Sequence, residues 1–166
     1  MGHSMAPHAV GVMYYGGHGV QKDDAEAVRW YRMGVEIGHA WAQAALGSVY
    51  RLGRGGLQQD YSEAMRLYTL AAKQDAMWFI SIGYMHGEGL GVPQSYETAC
   101  RYYEMAAAAG SMEAQYNLGV NYEYGAGVPV NLPLAIEYYR KAAAQGQEQA
   151  RATLLRLRVP LRESLA

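Results

Sequence analysis

Cysteine is almost missing from this chain: Cys100 is the one copy in 166 residues. No internal disulfide can form, so stability has to come from packing. Long apolar runs are missing too. None reaches the roughly 18 residues of a membrane span, and the N-terminus lacks a charged-then-apolar leader pattern. Membrane insertion is therefore not expected. Nor is there a basic run: fourteen Lys and Arg against fifteen Asp and Glu leave a net charge of −1, which argues against a nucleic-acid partner. Wholesale disorder is excluded as well, because 51% of residues are hydrophobic and 17% charged. A soluble, folding chain is expected, and its compartment, cytoplasm or periplasm, is left open. A leader peptide removed beforehand would leave the same sequence, and a single cysteine does not settle the redox compartment.

What is present is lopsided. Fifteen Tyr accompany three Trp and one Phe, beside twenty Gly, a ratio that suggests a repeated unit rather than a generic core. The segments Val10–Val20, Leu46–Gly56, Ile82–Val92 and Leu118–Val128 align without gaps, and their anchor glycines Gly11, Gly47, Gly83 and Gly119 are 36 residues apart each time. A second pattern follows each anchor: Ala27-x-x-Trp30-Tyr31, Ala64-x-x-Leu67-Tyr68, Ala99-x-x-Tyr102-Tyr103 and Ala135-x-x-Tyr138-Tyr139. Fixed self-similarity of this length is the signature of stacked repeats. The units run over residues 6–38, 39–75, 76–110 and 111–146, and residues 147–166 form a capping helix and tail. Residues 1–5 read as a remnant of expression.

Each unit reads as two helices. Ala114, Leu118 and Tyr122 typify one apolar stripe at helical spacing, which defines a helix A around the anchor. The Gly-x-Gly that follows suits a left-handed C-cap and a tight loop. Asp23, Asp60, Ser95 and Asn131 are then good N-caps for a helix B, and Glu26 and Glu63 stand at capping-box spacing. Small residues such as Gly34, Ala71, Ala106 and Ala142 allow close helix approach. Glu148 to Arg158 reads as a final helix whose outer face is polar, as a terminal repeat requires. At the other end Val10 and Met13 have no preceding repeat to cover them, and self-association through this open N-terminal repeat is expected.

No catalytic set is recognisable. The Gly-x-Gly loops lack the preceding strand and the Lys-Ser/Thr of a phosphate cradle. His3, His8, His18, His39 and His86 fall in different repeats without an i, i+4 pair, so no metal site is expected. Cys100 follows a packing alanine and has no neighbouring base, so it is not expected to act as a nucleophile. The expectation is a non-enzyme with no cofactor and no metal.

The residues from Ala114 to Gly146 resemble the Sel-one-like repeat family, the α/α relative of tetratricopeptide repeats, and the resemblance covers about residues 6 to 158. His86, Trp78 and Asp75 depart from the pattern, all at the junction of the second and third repeats, where altered packing without a break is expected. The resemblance implies an all-α, right-handed α/α superhelical solenoid that acts as a protein-binding scaffold or adaptor. Some family members are immunity proteins that neutralise secreted effectors such as lipases, and a hydrolase activity has been suggested for cysteine-rich relatives, whose paired cysteines are missing here.

In tetratricopeptide-like stacking, helix-A positions three before the anchor and one, four and five after it face a concave groove. On that basis Tyr15, Ser48, Arg51, Tyr84, Glu88, Tyr116, Glu123 and Tyr124 form the expected binding surface for a peptide, loop or helix of a protein partner. Tyrosine suits a surface that is dry at one end and wet at the other.

Overall fold

A computed structural model describes residues 7–160. The segment 1–5, read as an expression remnant, and residues 161–166 of the tail lie outside the described residues. The fold is helical throughout, with no strand among the described residues. Its contacts gather into two compact units, one ending at Trp78 and one beginning at Phe79. The first holds α1 (Pro7–Gly16), α2 (Asp24–Glu36), α3 (Ala40–Leu52) and α4 (Tyr61–Gln74), then a single 3-10 turn, Ala76–Trp78. The second holds α5 (Phe79–Glu88), α6 (Tyr96–Ala108), α7 (Met112–Tyr124), α8 (Leu132–Ala144) and α9 (Glu148–Arg156). Each odd helix from α1 to α7 forms a hairpin with the next, and α9 packs on α8.

The helix-B caps form as expected. Asp23 accepts from the amides of Ala25 and Glu26, Asp60 from Glu63, Ser95 from Thr98 and Asn131 from Leu134, at 2.9 to 3.1 Å. The expected capping box, however, is only half made. The cap residues' own N–H groups donate to the carbonyl three places after the anchor: Asp23 to Tyr14, Asp60 to Tyr50, Ser95 to His86 and Asn131 to Tyr122, at 2.8 to 3.0 Å. With that donor taken, Glu26 and Glu63 turn to Arg29 and Arg66 instead. The same four bonds tie the start of every helix B to its own helix A, and this sets how the hairpin closes. Asp60 stands 13 residues after its anchor, against 12 for Asp23, Ser95 and Asn131, and this one extra residue falls inside the loop that the Asp60 bond closes.

Packing explains the anchor. A Cβ placed on Gly11, Gly47, Gly83 or Gly119 would lie 2.5, 3.0, 2.7 or 2.5 Å from a ring carbon of Tyr31, Tyr68, Tyr103 or Tyr139 respectively. Helix B therefore approaches helix A through the Tyr that is the second residue of each pair, and each such ring is buried. Full burial of a large apolar side chain contributes about 1.5–3 kcal/mol. Around the rings, Ala27, Val28, Leu46, Val49 and Leu67 complete the first unit's core. Ala99, Cys100, Ala106, Ala114 and Leu118 do so in the second, where Ala150 and Leu154 of α9 close the core against Ala135 and Ala142.

The departure at the second junction is visible. Helices α2, α6 and α8 are followed by left-handed glycines, Gly38, Gly110 and Gly146, with φ of 75°, 95° and 100°. Helix α4 meets Asp75 instead, an extended residue with φ of −146°. Its carboxylate accepts from the Met77 amide at 3.0 Å, and the 3-10 turn follows. Trp78 then stands edge-on to Trp41, with ring centres 4.7 Å apart.

Candidate functional site

Three of the expected binding residues, Ser48, Arg51 and Glu123, meet the hydroxyls of buried helix-B tyrosines. In the first unit the Tyr68 hydroxyl is 3.0 Å from Ser48 Oγ and accepts from Arg51 Nε at 3.4 Å. Tyr15 stands at the position equivalent to Arg51; its hydroxyl accepts from Arg54 at 3.0 Å, and the Lys22 ammonium sits 5.8 Å from its ring centre. Burial first, then the neighbouring Tyr15 and Asp24, pushes the Tyr31 phenol up to about 12.

In the second unit Glu123 takes that role. It accepts from the Tyr139 hydroxyl at 2.8 Å and from the Arg156 guanidinium of α9, and its side chain is only 9% exposed. Burial alone would raise this carboxyl; hydrogen bonds from Arg156, Tyr139 and Tyr124, with the Arg156 charge, outweigh it and hold the group below its ordinary value. Burial, then the bond to Glu123, keeps the Tyr139 phenol protonated. In the second repeat the residues one and four after the anchor, and in the fourth repeat the residue four after it, thus have a structural duty that the repeat pattern hides: they bond the hydroxyl of the packed tyrosine. Ser48 and Arg51 carry that duty while half-buried, and Glu123 carries it with its side chain nearly enclosed. Tyr116 is half-buried, tilted against Tyr139 at 5.7 Å. Tyr84 and Tyr124 stay open, at 41% and 66%.

Tyr84 and Glu88 are brought together at a cleft of about 210 Å³ between α5, α6 and α7, where Tyr96, Tyr103, Asn117 and Val120 join them. Tyr96, Tyr103 and Asn117 were outside the expected set. Tyr96 is the first residue of α6, and helix-A periodicity carries no signal for a helix-B start. Deeper in the cleft wall, Asn121 donates to Cys100 Sγ at 2.9 Å, and the thiol donates to the Ala126 carbonyl at 3.3 Å. Burial pushes the Cys100 thiol up, against the opposing Asn121 bond, so it stays protonated and packed rather than reactive.

The histidines are less separate than their repeats suggest. His8 and His39 stack with ring centres 4.3 Å apart, and His86 stacks on Tyr102 at 5.5 Å. Stacked rings present faces rather than nitrogens to each other, which is not a chelating arrangement. Among the described residues no group of three or more His, Cys, Asp or Glu is placed to hold a metal; His3 lies outside them. No helix among the described residues is long and apolar enough to cross a membrane.

The Sel1 repeat profile matches four times, over residues 4–39, 42–76, 74–111 and 113–147. Among solved structures, the chain is similar to a Sel1 repeat protein from Oxalobacter formigenes, with a TM-score of 0.78 and 34% identity over 89% of this chain and 60% of that one. A protective antigen present in uropathogenic Escherichia coli strains gives a TM-score of 0.72 and 32% identity over 87% of this chain and 31% of its own. Among curated relatives, the ERAD-associated E3 ubiquitin-protein ligase component HRD3B of Arabidopsis thaliana is 34% identical over 89 residues, which is 53% of this chain and 14% of that protein. The chain spans less than two thirds of each of these relatives. Helices alone, with these likenesses, give the fold class: stacked α/α repeats of the helical-solenoid type.

Proposed function

The chain belongs to the Sel1 repeat family, and from that premise we propose that it is a non-catalytic adaptor that holds a segment of a protein partner on the helix-A faces of its repeats. Sel1 repeats mediate protein–protein contact. The observation that carries the reading here is the exposure of Tyr84 and Tyr124 on helices α5 and α7, beside a cleft that also presents Glu88. A solvated helix face has no physical need of large rings, whereas interface hot spots are enriched in Tyr, Trp and Arg. In the first unit Tyr15, Ser48 and Arg51, and in the second Tyr116 and Glu123, are the further residues proposed to meet a partner. The last of them acts by keeping α7 and α9 in place.

The test is capture by the immobilised full chain, with the retained protein identified by mass spectrometry and its affinity then measured against variants. Tyr84→Ala should weaken binding by about 1–3 kcal/mol, the span of a moderate hot spot, without changing the helical spectrum. Arg101→Ala is the control, because Arg101 is exposed on α6 and paired with Glu97. If Arg101→Ala abolishes binding and Tyr84→Ala does not, recognition runs along the helix-B face instead. A secreted effector as the retained protein would make the chain an immunity protein. Turnover in a hydrolase screen that is lost with Tyr84→Ala would overturn the non-enzyme reading.

A further inference from the structure

We infer that the cleft between α5, α6 and α7 is a pocket for one cationic side chain, a lysine or arginine that the partner protein presents to Glu88. The inference rests on the adaptor reading and adds to it the chemistry of the partner's anchor.

Size comes first. Pockets for drug-sized ligands occupy about 300–1,000 Å³, and this one has about 210 Å³, which suits a single side chain better than a whole metabolite.

Charge is the second argument. Glu88 is the one ionised group in a lining that contains no Lys, Arg or His. It is exposed, and among the described residues it forms no ion pair. On the same helices Glu97 is matched by Arg101 and Glu123 by Arg156, while Glu104 and Glu113 lie outside the cleft lining. Glu88 is also the last residue of α5. Partial negative charge from the terminal carbonyls accumulates there, so a carboxylate is disfavoured and a cation favoured. The His86 and Gly87 carbonyls are already bonded to Ser95 and Gln94, which leaves Glu88 itself to meet an arriving cation.

The walls supply the third. Tyr84, Tyr96 and Tyr103 line the cleft beside the carboxylate, and tyrosine rings attract cations through their faces. Burial, then the charge of Glu88, keeps the Tyr103 phenol protonated, so its hydroxyl adds no second negative charge. Asn117 contributes a carboxamide oxygen able to accept from an ammonium or guanidinium. A long aliphatic stem ending in a cation matches such a lining: stem against rings and Val120, head against Glu88 and Asn117.

The probes are N-acetyl-arginine methylamide, N-acetyl-lysine methylamide and the neutral N-acetyl-norleucine methylamide, each titrated into the 15N-labelled full chain at millimolar concentration. The two cationic probes should shift the amide signals of Gly87, Glu88 and Asn117, and the norleucine probe should not. Glu88→Gln should weaken the cationic probes by about fivefold or more, and Glu97→Gln should leave them unchanged. Equal shifts from all three probes, or an unchanged affinity in Glu88→Gln with a native helical spectrum, would overturn the cation pocket whatever partner the chain captures. Selective binding of the cationic probes by a chain that captures no protein would sink the adaptor reading and leave the pocket standing.

Discussion

Tyr139 packs so closely on Gly119 that a Cβ there would lie 2.5 Å from its Cε1 atom, and the hydroxyl of the same ring reaches Glu123 at 2.8 Å. One side chain thus links the spacing of a helix hairpin to the polar network at the expected binding face. The equivalent pair in the second repeat, Gly47 and Tyr68, is looser at 3.0 Å.

That difference gives a graded test. Alanine is a better helix former than glycine by about 1 kcal/mol, so propensity alone predicts that Gly119→Ala and Gly47→Ala stabilise the fold. The ring clash should reverse the sign at Gly119, with a net loss of about 1–3 kcal/mol in urea unfolding, as for overpacked cores. Gly47→Ala should lose less. Stabilisation of both variants would show that the ring does not set the hairpin spacing.

The polar end of the ring can be separated from its body. Tyr139→Phe should cost about 1.5–3 kcal/mol, the worth of one hydrogen bond to a charged group, and Tyr139→Ala about 3–5 kcal/mol through the cavity it leaves. Similar losses in the two variants would place the value of Tyr139 in its hydroxyl rather than its packing.

Glu123 carries a pH signature. Its folded-state carboxyl lies below the ordinary 4.5, so its contribution is complete above that value and disappears as pH falls through the lowered one. The stability difference between the natural chain and Glu123→Gln should therefore be largest near neutrality and should shrink below about pH 4. Chemical unfolding at a series of pH values checks it, and a pH-independent difference would contradict the network.

His8 should act in a higher window. Burial first, and then the adjacent His39, lowers its imidazole below 6.5, so the fold prefers it neutral. Stability from this source is complete above pH 6.5 and is lost as pH falls through the depressed value. Replacing His8 by Phe should flatten the decline of melting temperature between pH 7 and pH 5; an unchanged decline would show that His8 does not titrate against the fold.

The caps test the half-made box. Asp60→Ala should cost about 0.5–2 kcal/mol, yet hydrogen exchange should leave the amide of residue 60 protected, because that N–H is held by the Tyr50 carbonyl. Glu63→Ala should cost no more than about 0.5 kcal/mol, the scale of its exposed pairing with Arg66. Loss of protection at residue 60 in Glu63→Ala would restore the reciprocal box.

The sequence by itself determined the period, the helix pairs, the caps and the family. Those signals are local or strictly repeated: an N-cap acts over three residues, and an anchor glycine recurs at 36. The departure at Asp75 and Trp78 was legible for the same reason, as a missing glycine where a left-handed residue belongs. Only the tertiary structure decided what the variable face does. Ser48 and Arg51 meet Tyr68 across 20 and 17 residues, and Glu123 meets Arg156 across 33. The His8 and His39 rings stack although 31 positions separate them. Such pairings depend on how far apart two hairpin helices stand and how each is rotated. The buried Tyr ring on its glycine sets both, and no pattern along the chain specifies which outward residue its hydroxyl will meet.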